Sequence, residues 1–186
     1  MSKAVMLSIR PKWVEKIANG EKTIEVRKTK PKLDTPFKCY IYCTLQGCNE
    51  FFRVDLGRDV AKWNRGKWAD RKGKVIGEFV CDYILQRCEM ANADIAEQQS
   101  CVRREDIYFK YSEEGKHYIY GWHISNLKIY DAPKKLGEFW RDCNVCGDGD
   151  ETDCNTDGRL YLRRPPQSWC YVEVMKDAWN RRAEDG

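Results

Sequence analysis

Residues 4–9, Ala4-Val5-Met6-Leu7-Ser8-Ile9, form a short, nearly unbroken apolar run, which predicts a buried strand. Pro11 suits the first position of a helix. Trp13, Ile17 and Val14 give that helix an apolar face, and Gly20 ends it. Thr23–Lys28 then alternates. Thr23, Glu25 and Arg27 share one face, and Ile24 and Val26 share the other. A strand face carrying both signs of charge, directly after a helix end, has two readings. It is a solvated ion pair on an exposed strand, or it is the wall of a site.

The same patterns carry through the chain. Phe37–Leu45 reads as a strand, with Lys38, Tyr40 and Tyr42 on one face and Cys39, Ile41 and Cys43 on the other. Residues 46–73 are rich in glycine and charge and read as an insertion on the rim of the fold, with a short helix over Asp59–Trp68. Lys74–Leu85 is the next strand. Asn92–Cys101 reads as a short helix, followed by a second helix or turn over Arg103–Tyr111. Tyr118–Tyr130 reads as a strand pair or one bent strand. Pro133 is expected to open a short helix reaching Trp140, and Ser168–Met175 to form the last strand. Strands interleaved with short helices argue for a small α+β fold, a mostly antiparallel β-barrel with short flanking helices and a Cys-rich loop near its C-terminal end.

Length is consistent with one domain over residues 1–186, large enough for a real core. No apolar run approaches the roughly 18 residues of a membrane span, and Ala4–Ile9 is too short for a secretory signal. The expected location is therefore cytoplasmic, with no membrane partner, and the ten cysteines are expected as thiols or metal ligands. The net charge of +4 is unevenly spread: residues 1–40 hold ten Lys or Arg against four acids, leaving the remainder slightly acidic. Basic residues beside a polar site attract phosphate. Seven Trp and ten Tyr supply a core and, where exposed, surfaces on which bases stack.

Lys22, Glu25 and Arg27 carry the most chemistry. An ammonium donates to a carbonyl or phosphate oxygen and, when desolvated, becomes a base. A carboxylate accepts from a base edge or takes a proton. A guanidinium offers a planar fork. Lys22 and Glu25 are the candidate catalytic pair. Arg10, Lys22, Glu25, Arg27, Trp122, His123 and Trp169 are the candidate ligand-binding set. Trp122 and Trp169 either line the cleft or fill the core, and His123 is either a site residue or a hydrogen-bonded structural one. The bland reading of the cluster is an ion network holding helix to sheet. Arg163–Trp169 is a basic, extended entry to the last strand, placed to touch phosphate or simply to stiffen the connection.

The second signal is Cys143-x-x-Cys146, followed by Cys154 and Cys170. Four thiolates suit tetrahedral zinc, and the intervening acidic, glycine-rich stretch has little apolar content to order it. The competing reading is an acidic loop with incidental thiols. Walker loops, Rossmann fingerprints, nucleophile elbows and HExxH patterns are absent from the sequence.

Gly20-x-Lys22-x-x-Glu25-x-Arg27 resembles the G-x-K-x-x-E-x-R signature of the ASCH domain, a branch of the PUA-like superfamily of small β-barrels. Leu7–Trp13, Gly77–Asp82 and Gly121–Leu127 resemble further stretches of that domain. The resemblance covers roughly residues 3–140 and recurs near Trp169. It implies a PUA-like fold and RNA or modified-nucleoside binding through the Lys–Glu–Arg cleft. Small bacterial members of the superfamily are acetylcytidine amidohydrolases, using a Lys at the place of Lys22, a Thr at the place of Glu25 and a Glu on a later helix, for which Glu97 is the nearest counterpart. Here Glu25 stands where the Thr would be. Other ASCH-like proteins bind nucleic acid or act as weak nucleases. Three functions are thus expected: an RNA or nucleoside binder, an enzyme on the same cleft (nucleoside amidohydrolase or ribonuclease), or a phage-type module whose inserted loops take a protein partner.

Overall fold

The structure, a computed structural model, describes residues 3–45, 69–86, 90, 94–103, 106, 112–113, 116–117, 119–142 and 158–175. The chain opens with β1 (Lys3–Ile9) and α1 (Pro11–Ala18), then β2 (Ile24–Arg27) and β3 (Phe37–Cys43). β4 (Lys74–Cys81) and β5 (Ile84–Leu85) follow, then a single π-type turn at Asp94–Gln99. Two short strands, β6 (Ser112–Glu113) and β7 (Lys116–His117), precede β8 (Tyr120–His123) and β9 (Ser125–Lys135). β10 (Trp140–Asp142), β11 (Arg159–Tyr161) and β12 (Trp169–Glu173) complete the order.

Apolar burial explains the main sheet. Its order is β12-β1-β3-β4-β9, and β1 sits inside it, parallel to β3 and antiparallel to β12. A strand with neighbours on both sides is apolar on both faces, as the unbroken run at residues 4–9 demands. A second sheet, β2-β8-β5, packs Trp122 of β8 against Phe37 of β3 and Trp169 of β12. The core between them gathers Leu7, Ile9, Val14, Ile17, Ile41, Phe79 and Trp122. The fold is strand-rich and mostly antiparallel, with few helices. Among the described residues no sheet closes on itself into a barrel.

Several expected elements shift. The strand expected over 74–85 divides at Asp82-Tyr83 and serves both larger sheets. The Tyr118–Tyr130 stretch is a pair, β8 and β9, broken at Ile124. Pro133 does not open a helix. It lies in β9, and a single 3-10 turn follows at Leu136–Glu138. β9 is an edge strand, where a residue without an N–H breaks no ladder. The expected helix at 92–101 is the shorter wide turn, with Ser100 N–H reaching Ile95 carbonyl at 3.1 Å. Most of the 46–73 insertion and of the 141–160 loop lies outside the described residues. Its edge at Ala69–Arg71 is tied down by Arg71, which donates to the Tyr130 carbonyl at 2.7 Å.

Gly77 shows how tightly β4 meets β9. A Cβ there would sit 2.5 Å from the Lys128 carbonyl oxygen and 3.2 Å from the Ile129 Cα, both backbone atoms. Gly77→Ala is expected to lower stability by about 1–3 kcal/mol through overpacking. A urea midpoint equal to wild type would contradict this reading of the β4–β9 contact.

Candidate functional site

Local sequence sets the site. α1 ends at Asn19, and Gly20 turns the chain with φ +76°, a conformation glycine adopts without strain. That turn drops Lys22 beneath the sheet before β2 begins. Lys22 is 2% exposed. Its ammonium donates to the Ile24 carbonyl at 2.8 Å and to the Ser100 carbonyl at 2.6 Å. It also lies 3.4 Å from Glu25 Oε2 and 5.1 Å from the centre of the Trp13 ring.

Glu25 and Arg27 complete the row. Glu25 Oε1 pairs with Arg27 at 3.1 Å, and Arg27 also donates to the Ser8 carbonyl at 2.9 Å and to Ser168 Oγ at 3.4 Å. These bonds bring together β1, β2 and the segment entering β12. Both faces of β2 are therefore covered. The alternation expected at Thr23–Arg27 holds, yet the charged face is buried rather than solvated. Two polar atoms in this row have no hydrogen-bond partner in the fold: Glu25 Oε2 and Arg27 Nε.

Lys22, Glu25 and Arg27 line one cavity of about 800 Å³. Its walls also include Trp13 from α1, Ser8 and Ile9 from β1, Val26, Thr44, and Gln167 before β12. Arg10, Lys12, Cys101, Val102, Arg103 and Asp106 complete the lining. Five basic side chains face two acidic ones, so the cavity is electropositive. Arg103 is paired with Asp106 at 3.3 Å, and the Lys12 ammonium sits 4.4 Å from the Trp13 ring centre. Burial lowers the pKa of Lys22, and the neighbouring Glu25 carboxylate opposes that fall. With two carbonyls and a carboxylate around its three N–H groups, Lys22 is placed as a tether between β2 and residue 100, the bland reading of the cluster.

The other sequence candidates separate. Arg10 is exposed at the cavity. Trp122 is fully buried in the core, opposite Glu25 in the β2–β8 ladder, so of its two readings it fills the core. Trp169 is half-buried, stacked at a tilt on Trp122, and its indole N–H donates to Thr29 Oγ1 at 2.9 Å. His123 stands apart from the cavity. Its Nδ1 is 2.6 Å from Asp82 Oδ1, and its ring stacks on Tyr83 with centroids 4.3 Å apart. Glu97 is exposed on the wide turn and does not line the cavity. Cys143, Cys146 and Cys154 lie outside the described residues. Cys170 is half-buried on β12, and burial raises its pKa. Among the described residues no group of three or more His, Cys, Asp or Glu could hold a metal ion.

Sequence reasoning missed Trp13, Ser8, Ser100 and Cys101. Trp13 was expected within the buried face of α1. The buried residues there are Pro11, Val14 and Ile17, and Trp13 turns to the cavity instead. A signal existed: position 13 falls one residue off the 14–17 spacing. Nothing local marks Ser100 or Cys101, which arrive from 78 residues away.

No protein-family model and no curated protein matches the chain. Solved structures do. ASCH from Zymomonas mobilis superposes with a TM-score of 0.52 at 16% identity, over 98% of this chain and 94% of that one. A tyrosine-to-phenylalanine mutant of the same protein gives 0.52 at 15%, over 99% and 98%. A serine-to-alanine mutant gives 0.52 at 15%, over 98% and 94%. The chain has an ASCH-like fold. Within that fold the G-x-K-x-x-E-x-R residues form one cluster on a cavity wall. No helix among the described residues is long and apolar enough to cross a membrane.

Lys22→Met is expected to destabilise the fold by about 3–5 kcal/mol, because it strands Glu25 and two buried carbonyls. The pH dependence follows from the lowered pKa of Lys22. Between its folded-state value and 10.5 the unfolded chain binds more protons, so the wild-type fold gains stability as pH rises through that interval. The gap between wild type and Lys22→Met should therefore widen over that range in urea unfolding. A gap that stays flat would show that burial does not depress this ammonium.

Proposed function

We propose that the chain binds RNA, or a nucleoside derived from it, with a base entering the cavity beneath β2. The observation that carries this reading is the pair of unsatisfied polar atoms. Glu25 Oε2 is a buried acceptor and Arg27 Nε a buried donor, and both residues line the cavity. Buried polar atoms are nearly always satisfied, so an orphan acceptor and an orphan donor on one wall call for a ligand that offers the reverse. A nucleobase edge does so. Trp13 supplies an aromatic wall for stacking, and Arg10 and Lys12 supply cations for the phosphate that a nucleotide carries. The ASCH-like fold agrees with a nucleic-acid ligand.

Fluorescence anisotropy with a labelled single-stranded RNA tests the reading. Glu25→Gln keeps the shape of the side chain and should weaken binding by about tenfold or more, since it replaces a charged acceptor on the wall. Arg10→Glu should weaken it too and flatten its salt dependence. Binding that ignores both substitutions, and ignores a rise from low to physiological salt, would refute the proposal.

The C-terminal thiols are proposed separately as a zinc site. β10 ends one residue before Cys143 and packs beside β12, which carries Cys170. Cys143, Cys146, Cys154 and Cys170 would give tetrahedral thiolate ligation, pinning the acidic loop to the last strand. Protein purified without chelator should then carry stoichiometric zinc. Less than about a tenth of an equivalent would exclude a structural site of ordinary affinity.

A further inference from the structure

Of the five described cysteines, one opens on the cavity. Cys39, Cys43 and Cys81 are buried in the core, and burial drives the Cys39 thiol well above its ordinary range and the Cys81 thiol to about 12. Cys170 is half-buried on β12 and is not part of the cavity lining. Cys101 is partly exposed and lines the same wall system as Glu25.

Its backbone is unusual. Cys101 has φ +54°, in the left-handed region that residues with a Cβ seldom occupy. Such a conformation persists only when its surroundings hold it. Here the holding group is visible. The Lys22 ammonium grips the Ser100 carbonyl, the oxygen of the peptide that leads into Cys101, at 2.6 Å. The thiol in turn lies 3.4 Å from the Glu21 carbonyl oxygen. The chain therefore fixes Cys101 Sγ at the edge of the cavity from two sides. The independent sign that this cavity receives a ligand is Glu25. Its side chain is 8% exposed, and its Oε2 lies within the cavity wall without a hydrogen bond.

We propose that Cys101 is a reversible thiol-modification site that closes the cleft: a mixed disulfide with a small thiol places its adduct where the ligand would enter. The inference rests on the ligand-binding reading for its consequence, but not for the modification itself. The chemistry is an exchange. The Cys101 thiol gives up its proton, and the thiolate attacks one sulfur of a low-molecular-weight disulfide. A new Cys101 S–S bond forms and the S–S bond of the reagent breaks. The departing thiolate takes up a proton, so Cys101 is oxidised and half of the reagent is reduced. A reductant reverses the step. An adduct of tripeptide size occupies several hundred Å³ on the order-of-magnitude scale of ordinary ligand pockets, against a cavity of about 800 Å³.

The experiment treats the native protein with oxidised glutathione, maps all ten cysteines by peptide mass spectrometry, and reads RNA binding by anisotropy before and after. Cys101 should carry the adduct ahead of Cys39, Cys43, Cys81 and Cys170. Affinity should fall by about tenfold or more and return with reductant. In Cys101→Ser, treated and untreated protein should bind alike. The proposal is overturned if Cys101 stays unmodified while Cys170 reacts, or if fully modified Cys101 leaves affinity unchanged. It is also overturned if Cys101→Ser keeps the sensitivity. Reduced protein that binds no RNA would defeat the nucleic-acid reading alone. The peptide map would still decide whether Cys101 is the reactive thiol.

Discussion

Everything around the cavity hangs on one buried ammonium. Lys22 has almost no contact with water, and a charge taken out of water is tolerated only when its donors are met. The fold meets them with the Ile24 and Ser100 carbonyls and the Glu25 carboxylate. That requirement draws residue 100 against the start of β2, and the neighbouring Thr23 N–H to Gln99 carbonyl bond at 2.9 Å closes the same seam. It also orients Glu25, whose other oxygen then holds Arg27, which reaches back to β1 and forward to the entry of β12. A chain of charges thus fastens four distant segments around one hollow.

The electrostatics of this row separate structural from receptive groups. Lys22 is surrounded by acceptors, whereas Glu25 and Arg27 each keep one buried atom unanswered. A network that existed solely to hold helix to sheet would gain by satisfying those atoms as well, since a half-satisfied buried network is poorer than an apolar one. The distribution of unmet groups, rather than the presence of charge, is what marks the wall as a binding surface.

Much of this was legible in the sequence. β1 declared itself by an unbroken apolar run, β2 by strict alternation, and the Lys–Glu–Arg cluster by its spacing after Gly20. The burial of that cluster was not legible, because alternation says which residues share a face but not what covers the face. The covering residues, Ser8, Gln167 and the 100–103 segment, come from sequence-distant places and carry no local signature. Trp13 was misread for a related reason: a one-residue offset in a two-turn helix separates a core position from a cavity wall. Pro133 was read by its habit of opening helices, and an edge strand accommodated it instead. Trp122 shows the same limit, since an aromatic in a strand pairs with a site or with a core according to neighbours that the pattern does not name.

The place of β1 has a consequence for how this protein is made. β1 is among the first segments to leave the ribosome, yet its antiparallel partner is β12, with Lys3 opposite Glu173 and Leu7 opposite Trp169. Contacts that join the two ends of a chain are slow to form and cannot form until both ends exist. Through most of synthesis β1 can pair with β3 on one side only, and its other edge lies open. The cavity is unfinished over the same interval, because Ser168 and Gln167 arrive with β12. A nascent chain therefore holds an exposed strand edge and an incomplete pocket until almost its whole length has been translated, and both defects are repaired by the same late strand.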